Sequence, residues 1–426
     1  MSEIHREFFK RTVFIGFLVV VATVEFVKMG LIVMLLPSLF SSMHYSRMVL
    51  GWALSANLLA DNVCKGATGW FVDREGPWPV LLCGCLAILA GLILLVYFHH
   101  NVYLVVLGSI LIGIGGSPTW PAAIAGTIKL AGEDKRASTI SLISIVWMVG
   151  GGLGILTVGL LIGSQAHDWL RKLSLTFQNS YTTAFLVLIV IIGVTIVIAA
   201  LGWLVGNRLS EPNAAKAETA TDRQRISAVW HHLKRIWNLV PGMFFQTFSL
   251  GMLLPNLFPF VIEQMGLSEM HYYLLLLTGG AVVVLGINPI GRLIDHRGPR
   301  FFLVTGFLLA GGALLVLVNL ATIHNIWYFV ALLGLSYALI QPAWNGVLAA
   351  SIPPELRGVL MGLFMSIEGL GFALGPVFGG WLSEAGSTGG LLSHFGSGLP
   401  FMLSGTFLII MAGIYFFHPL NQHFEA

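Results

Sequence analysis

The sequence predicts an all-α membrane protein, twelve transmembrane helices in two six-helix halves, and three observations carry that prediction. Hydrophobic residues make up 56% of the 426 and charged residues 10%, with a mean hydropathy of +0.86; a soluble domain carries about 25% charged residues. Apolar runs of about 20 residues recur, each long enough to cross ~30 Å of hydrocarbon at ~1.5 Å per residue. Sparse residue types also repeat at a fixed offset. Gly69, Asp73, Gly76 and Pro77 match Gly291, Asp295, Gly298 and Pro299 at a shift of 222, and Pro121, Arg136, Gly150 and Gly154 match Pro342, Arg357, Gly371 and Gly375 at 221. That offset contains six spans, so the halves share one orientation, an arrangement suited to rocking about a central site.

The first half, residues 1–206, opens on a span at 12–38. Its basic flank resembles that of a signal peptide, but the apolar stretch is too long and no small-residue cleavage site follows, so it reads as a retained span. Spans at 48–71, 79–98, 102–126, 137–163 and 181–206 follow, each bounded by charge or turn residues. Residues 207–239 form the link. Asn207 to Arg225 is poor in large apolar residues and reads as a flexible cytoplasmic linker. Ile226, Val229, Trp230, Leu233 and Trp237 then repeat at helical spacing opposite His231, Lys234 and Arg235, which predicts an amphipathic helix on the membrane face, or an early start of span seven. The second half, residues 240–426, holds spans at 240–262, 272–294, 300–320, 326–350, 357–383 and 398–417.

Of the 22 Lys and Arg, only Arg47, Arg171 and Lys172 fall on the side opposite the termini, and Lys28 and Lys65 lie within spans. Positive residues near span ends stay in the cytoplasm, so both termini are expected there, in a multi-pass protein of the plasma or inner membrane. The three cysteines lie inside apolar runs, which predicts buried thiols with no disulfide framework or metal spacing. Histidines sit in loops or near span ends, and no nucleophile grouping or phosphate-cradling loop appears. Enzymatic chemistry, an ATP-driven pump, a metal and nucleic-acid binding are all excluded on those grounds.

Two cytoplasmic loops carry a motif: Gly69-Trp-Phe-Val-Asp73-Arg74-Glu75-Gly76, and Gly291-Arg-Leu-Ile-Asp295-His-Arg297-Gly298-Pro-Arg300. They resemble the signature loop of the major facilitator superfamily, and the resemblance covers the whole chain. It implies that the loop's acid and base latch the two halves on the cytoplasmic side; the first copy departs in having Pro77-Trp78 after Gly76. Gly371-x-x-x-Gly375-Pro376-x-x-Gly379 resembles the antiporter-type glycine motif, which in the family sits in span five; there this chain has Gly150, Gly151, Gly152 and Gly154 without the proline. Physically, glycines four apart let backbones approach closely, and a proline within a span permits a bend. Both suit a moving interface, or static packing.

Few ionisable residues lie deep in spans: Glu25, Lys28, Asp61, Lys65 and Glu368. At a helix centre such a group costs ~2.5 kcal/mol or more on insertion scales, so a functional role is the default. Glu25 and Lys28 are three apart and Asp61 and Lys65 four apart, so each pair shares a helix face. The three acids fall in one central layer. A group whose surroundings change with the open side changes its proton affinity, which is the minimum chemistry of proton coupling; a static salt bridge between spans one and two is the alternative.

The resemblance implies that spans one, four, seven and ten line the cavity. There Trp120, Asn256, Gln341, Trp344 and Asn345, with Trp147 of span five and Gln246, supply few polar groups and several aromatics, which fits an amphiphile better than a sugar. Glu25-x-x-Lys28, followed by Asp61, Trp120 and Trp147, is similar to the pattern of the proton-coupled glycolipid flippases that supply the lipoteichoic acid anchor, with Lys28 where the subgroup implies arginine and the bidentate fork thereby lost. The expected function is a proton-coupled secondary transporter, an antiporter that exports or flips an amphipathic lipid or lipophilic compound by alternating access, with no cofactor beyond the proton gradient and a monomer as the expected state. Multidrug efflux, symport of a small polar solute, and a non-transporting scaffold or receptor are the alternatives.

Overall fold

In a computed structural model, the described residues are 3–131, 136–162, 180–209, 237–320, 322–351, 357–387 and 398–417, and every regular element among them is helical. The order is α1 (Glu3–Met29), a π-helical turn (Gly30–Leu35), α2 (Leu36–Ser42), α3 (Arg47–Glu75), α4 (Pro77–Phe98), α5 (Val102–Gly116), α6 (Thr119–Ala131), α7 (Arg136–Ile162) and α8 (Ser180–Leu209). Then come α9 (Val240–Pro259), a second π-helical turn (Phe260–Gln264), α10 (Glu269–Arg297), α11 (Pro299–Leu320), α12 (Ile326–Ser351), α13 (Arg357–Ser387) and α14 (Leu399–Phe417). The proposed linker and most of the amphipathic stretch lie outside the described residues.

Among the described residues, eleven helices are long and apolar enough to cross a membrane, with α1–α2 and α5–α6 each running as one span. The expected twelfth is α3. It has 29 residues, ample length, but Asp61 and Lys65 interrupt its apolar stretch. It crosses only if those charges find partners, and they do.

The contacts divide the chain into two units: Met1–Tyr45 with Trp52–Asn213, and Ser46–Gly51 with Ala214–Ala426. The first turn of α3 therefore groups with the second unit rather than the first. Within each unit the same glycines bring two helices together. In the first, the Ala22 and Phe26 carbonyls of α1 occupy the space that side chains at Gly150 and Gly154 of α7 would need. In the second, the Phe244 carbonyl of α9 does so at Gly371 of α13, and the Gly251 backbone at Gly375. The glycine motifs thus close a tight contact inside each bundle.

The repeat extends to backbone detail. Gly76 has φ 88° and Gly298 φ 79°, a conformation that side-chain-bearing residues avoid. The Gly76 N–H donates to the Val72 carbonyl at 3.0 Å and the Gly298 N–H to the Ile294 carbonyl at 2.8 Å, and each glycine precedes a proline that opens the next helix. One expectation fails: only Cys85 is buried, while Cys64 is half-buried and Cys83 exposed on α4; all three are free thiols.

Candidate functional site

In the first unit the four charges predicted on spans one and two converge. Helical spacing puts Glu25 and Lys28 on one face of α1, and Asp61 and Lys65 on one face of α3. Lys28 Nζ donates to Asp61 Oδ2 at 3.0 Å and lies 3.9 Å from Glu25 Oε2. Lys65 Nζ approaches the same Asp61 Oδ2 at 3.5 Å and donates to Asn62 Oδ1 at 3.1 Å. Glu25, Lys28 and Asp61 are 2%, 7% and 5% exposed, whereas the Lys65 side chain is 42% exposed. Three charges are sealed and the fourth reaches outward.

Neighbouring elements shape this cluster. Span four breaks where the Ser117 N–H returns to the Gly113 and Ile114 carbonyls and Pro118 follows, separating α5 from α6. Gly116, at the end of α5, leaves room for Lys28: a side chain there would meet the lysine's Cδ and Nζ at 2.8 and 3.1 Å. The carbonyl end of α5 beside an ammonium is a favourable arrangement. From α7, Gly151 packs on Glu25 and Met29, and the Trp147 indole lies near the Glu25 carboxylate. Trp120 is half-buried against the cluster of Val21, Ala123 and Ile143. Glu25 Oε1, Asp61 Oδ1 and Asn57 Oδ1 are buried without a hydrogen-bond partner. Orphaned acceptors of this kind call for a donor.

The second unit has the opposite chemistry. A cavity of about 300 Å³ lies among α9 to α12 and α14, walled by leucines and valines with Phe260 and Phe401; its polar lining is confined to Gln246, Ser249, Tyr272 and Tyr337. Glu368 is half-buried on α13 in the electrostatic vicinity of Tyr337. Of the other cavity residues predicted for this half, none lines the pocket. Trp344 is only 1% exposed, packs edge-on against Phe307 and Tyr415, and donates through Nε1 to Gln246 Oε1. It packs as a core residue whose polar atom is satisfied. Asn256 donates to the Met252 carbonyl of its own helix at 2.9 Å; Gln341 is half-buried and Asn345 exposed. Sequence reasoning missed Gly279 and Gly280, whose missing side chains help open the pocket; the signal was a glycine pair inside an apolar run.

The loop-motif residues lie at the ends of α3 and α10. Asp73 is exposed, Arg74 pairs with Glu75 at 3.5 Å and stacks over Trp70 at 5.4 Å. Arg297 is exposed; Gly69 and Gly291 lie within helices.

A family model described as Major Facilitator Superfamily matches residues 18–376 and 239–423. Among curated relatives, the chain is 26% identical over 412 residues to the "Proton-coupled antiporter flippase LtaA" of Staphylococcus saprophyticus, covering 96% of each chain. It is 24% identical over 335 residues to the protein of the same name from Staphylococcus aureus, covering 78% of each. Among solved structures, it resembles a bacterial homologue of the human lysosomal transporter Spinster in an inward-facing, unoccupied conformation, with TM-score 0.77, 18% identity, and 98% of this chain and 97% of that one covered. A D-xylose–proton symporter follows at TM-score 0.72 and 14% identity, with 96% and 98% covered. At these identities the structures speak for the fold alone.

Proposed function

The chain belongs to the Major Facilitator Superfamily, and on that premise we propose that it is a proton-coupled antiporter that flips or exports an amphipathic lipid or lipophilic compound by alternating access. The observation that carries the reading is the apolar cavity of about 300 Å³ in the second unit, which suits a hydrocarbon chain and offers a polar solute almost nothing to bond. The buried charges of the first unit supply the other half. Glu25 and Asp61 are the acids of the coupling site, Lys28 and Lys65 are their charge partners, and the unpartnered carboxylate oxygens are open to a proton or to headgroup hydroxyls. Glu368 is a further candidate acid. Trp120 and Trp147 contact the headgroup, Trp147 beside Glu25. The paired loops around Asp73, Arg74, Asp295 and Arg297 act as the cytoplasmic latch, with both termini on that side. The names of the staphylococcal relatives, at 24–26% identity, point the same way.

The test is reconstitution in liposomes with an imposed pH gradient and a fluorescent diacylglycerol glycoside, with unlabelled glycolipids and lipophilic cations as competitors. Movement that follows the gradient, competed by the glycolipids and lost in Glu25→Gln and Asp61→Asn, is the expected result. Competition by the cations alone replaces lipid flipping with drug efflux. Rates unchanged in Glu25→Gln, Asp61→Asn and Glu368→Gln remove proton coupling.

A further inference from the structure

We infer that Lys65 divides the work of the two first-unit acids: with Lys28 it clamps Asp61 as a fixed anion and leaves Glu25 as the group that takes up and releases the proton. This assignment rests on the proposed proton coupling and says which atom carries it. The geometry is unequal between the acids. Asp61 Oδ2 has two ammonium groups, at 3.0 and 3.5 Å. Glu25 has one, at 3.9 Å, and that one is engaged by Asp61. Lys28 is pinned on the Asp61 side, because Gly116 makes room for its chain and the carbonyl end of α5 lies against it.

Charge balance gives the same division. With both acids ionised the four groups sum to zero. A proton on Glu25 leaves Asp61 facing two lysines, a net single positive charge whose remaining anion keeps both ammonium groups on Oδ2. A proton on Asp61 would instead leave Lys65 with no carboxylate at its distance and Glu25 with a lone partner at 3.9 Å. The other described helices of the first unit bring no competing charge to mid-span in sequence. α4 and α5 carry no Asp, Glu, Lys, Arg or His within their apolar lengths, and the basic residues of α6, α7 and α8 (Lys129, Arg136 and Arg208) sit near helix ends in sequence. Among the described residues, the uncharged Trp147 indole is a polar neighbour of Glu25. Lys65 is thus a positioning residue, and its 42% exposed side chain means that solvent, or a ligand reaching it, can loosen the clamp.

The experiment needs no substrate. Purified full-length protein in lipid nanodiscs, in a Glu368→Gln background, is titrated with acid while infrared difference spectra follow the protonated-carboxyl stretch of buried acids. One titrating band is expected. It disappears in Glu25→Gln and persists, with a displaced midpoint, in Asp61→Asn. Lys65→Met adds a second band that Asp61→Asn removes, and Lys65→Arg returns the spectrum to one band, a rescue that a purely structural role would not produce. Lys65→Gln substitutes if the methionine variant does not fold. A band lost in Asp61→Asn and kept in Glu25→Gln overturns the assignment, as do two bands in the parent or an unchanged spectrum in both Lys65→Met and Lys65→Gln. Failure of gradient-driven lipid movement with this band pattern intact would remove the proposed function and leave the assignment standing.

Discussion

Replacing Gly280 with leucine tests whether the cavity of the second unit measures a hydrocarbon chain. Gly280 lines that cavity, and nothing lies within 4 Å of the point where its side chain would begin. Leucine therefore grows into open space. Taking a methylene as about the size of a water molecule, roughly 30 Å³, the 300 Å³ cavity holds about ten methylenes, and the four carbons of leucine at the exposed Gly280 displace at most about four of them. At ~0.8 kcal/mol per buried methylene, a chain that filled the parent cavity loses up to about 3 kcal/mol, or ~100-fold in affinity. A chain of about six carbons should lose little. The assay is competition against the fluorescent glycolipid by a homologous series of alkyl glycosides from six to twelve carbons, in parent and variant. In the parent, affinity should rise along the series and level off near ten carbons; in Gly280→Leu the plateau should come up to about four carbons earlier. A chain-length profile identical in the two proteins would refute the reasoning, because the volume filled is then not the volume that the chain uses.

Two further outcomes follow from packing. Trp344→Phe keeps the ring contacts to Phe307 and Tyr415 but strands the buried Gln246 oxygen, so it should lose about 1–3 kcal/mol of stability; thermal unfolding in detergent should fall while affinity for the fluorescent lipid stays within about twofold, and the reverse pattern would make Trp344 a ligand contact. Gly154→Val forces a side chain onto the Phe26 carbonyl, whereas Gly152 has open space around it; the first should cost upward of ~2 kcal/mol in unfolding experiments, and Gly152→Ala should be close to silent.

The legible part of this chain is what hydrophobicity and spacing encode. Apolar runs placed the spans, and the 222-residue echo of Gly76 and Pro77 in Gly298 and Pro299 anticipated two loops with the same positive-φ glycine. Spacing of three and four put Glu25 with Lys28 and Asp61 with Lys65, and the structure joins the two pairs through a 3.0 Å contact. What stayed hidden depends on partners distant in sequence. Span four reads as continuous over 102–126, so the break between α5 and α6 inside it is not anticipated, and the π-helical turns after Met29 and Pro259 have no distinct local signature. An indole inside an apolar span reads alike whether it faces a ligand or a core, so Trp344 and Trp147 could not be told apart before the Gln246 bond and the Glu25 neighbour were seen. The same holds for the glycines of α7 and α13, whose backbone contacts decide between sliding and fixed packing.

The polarity of α3 bears on how the protein is made. A segment with Asp61 and Lys65 near its middle is a poor client for the insertion machinery, since each charge opposes partitioning by ~2.5–3.5 kcal/mol. α1 is synthesised first and carries Lys28, which in the finished protein is the closest counter-ion of Asp61. Membrane integration of α3 is then expected to depend on α1, with Lys28 neutralising Asp61 as the two segments meet. On the proposed proton coupling, biogenesis and transport draw on one ammonium group, so replacing Lys28 is expected to lower the yield of integrated protein as well as its transport rate.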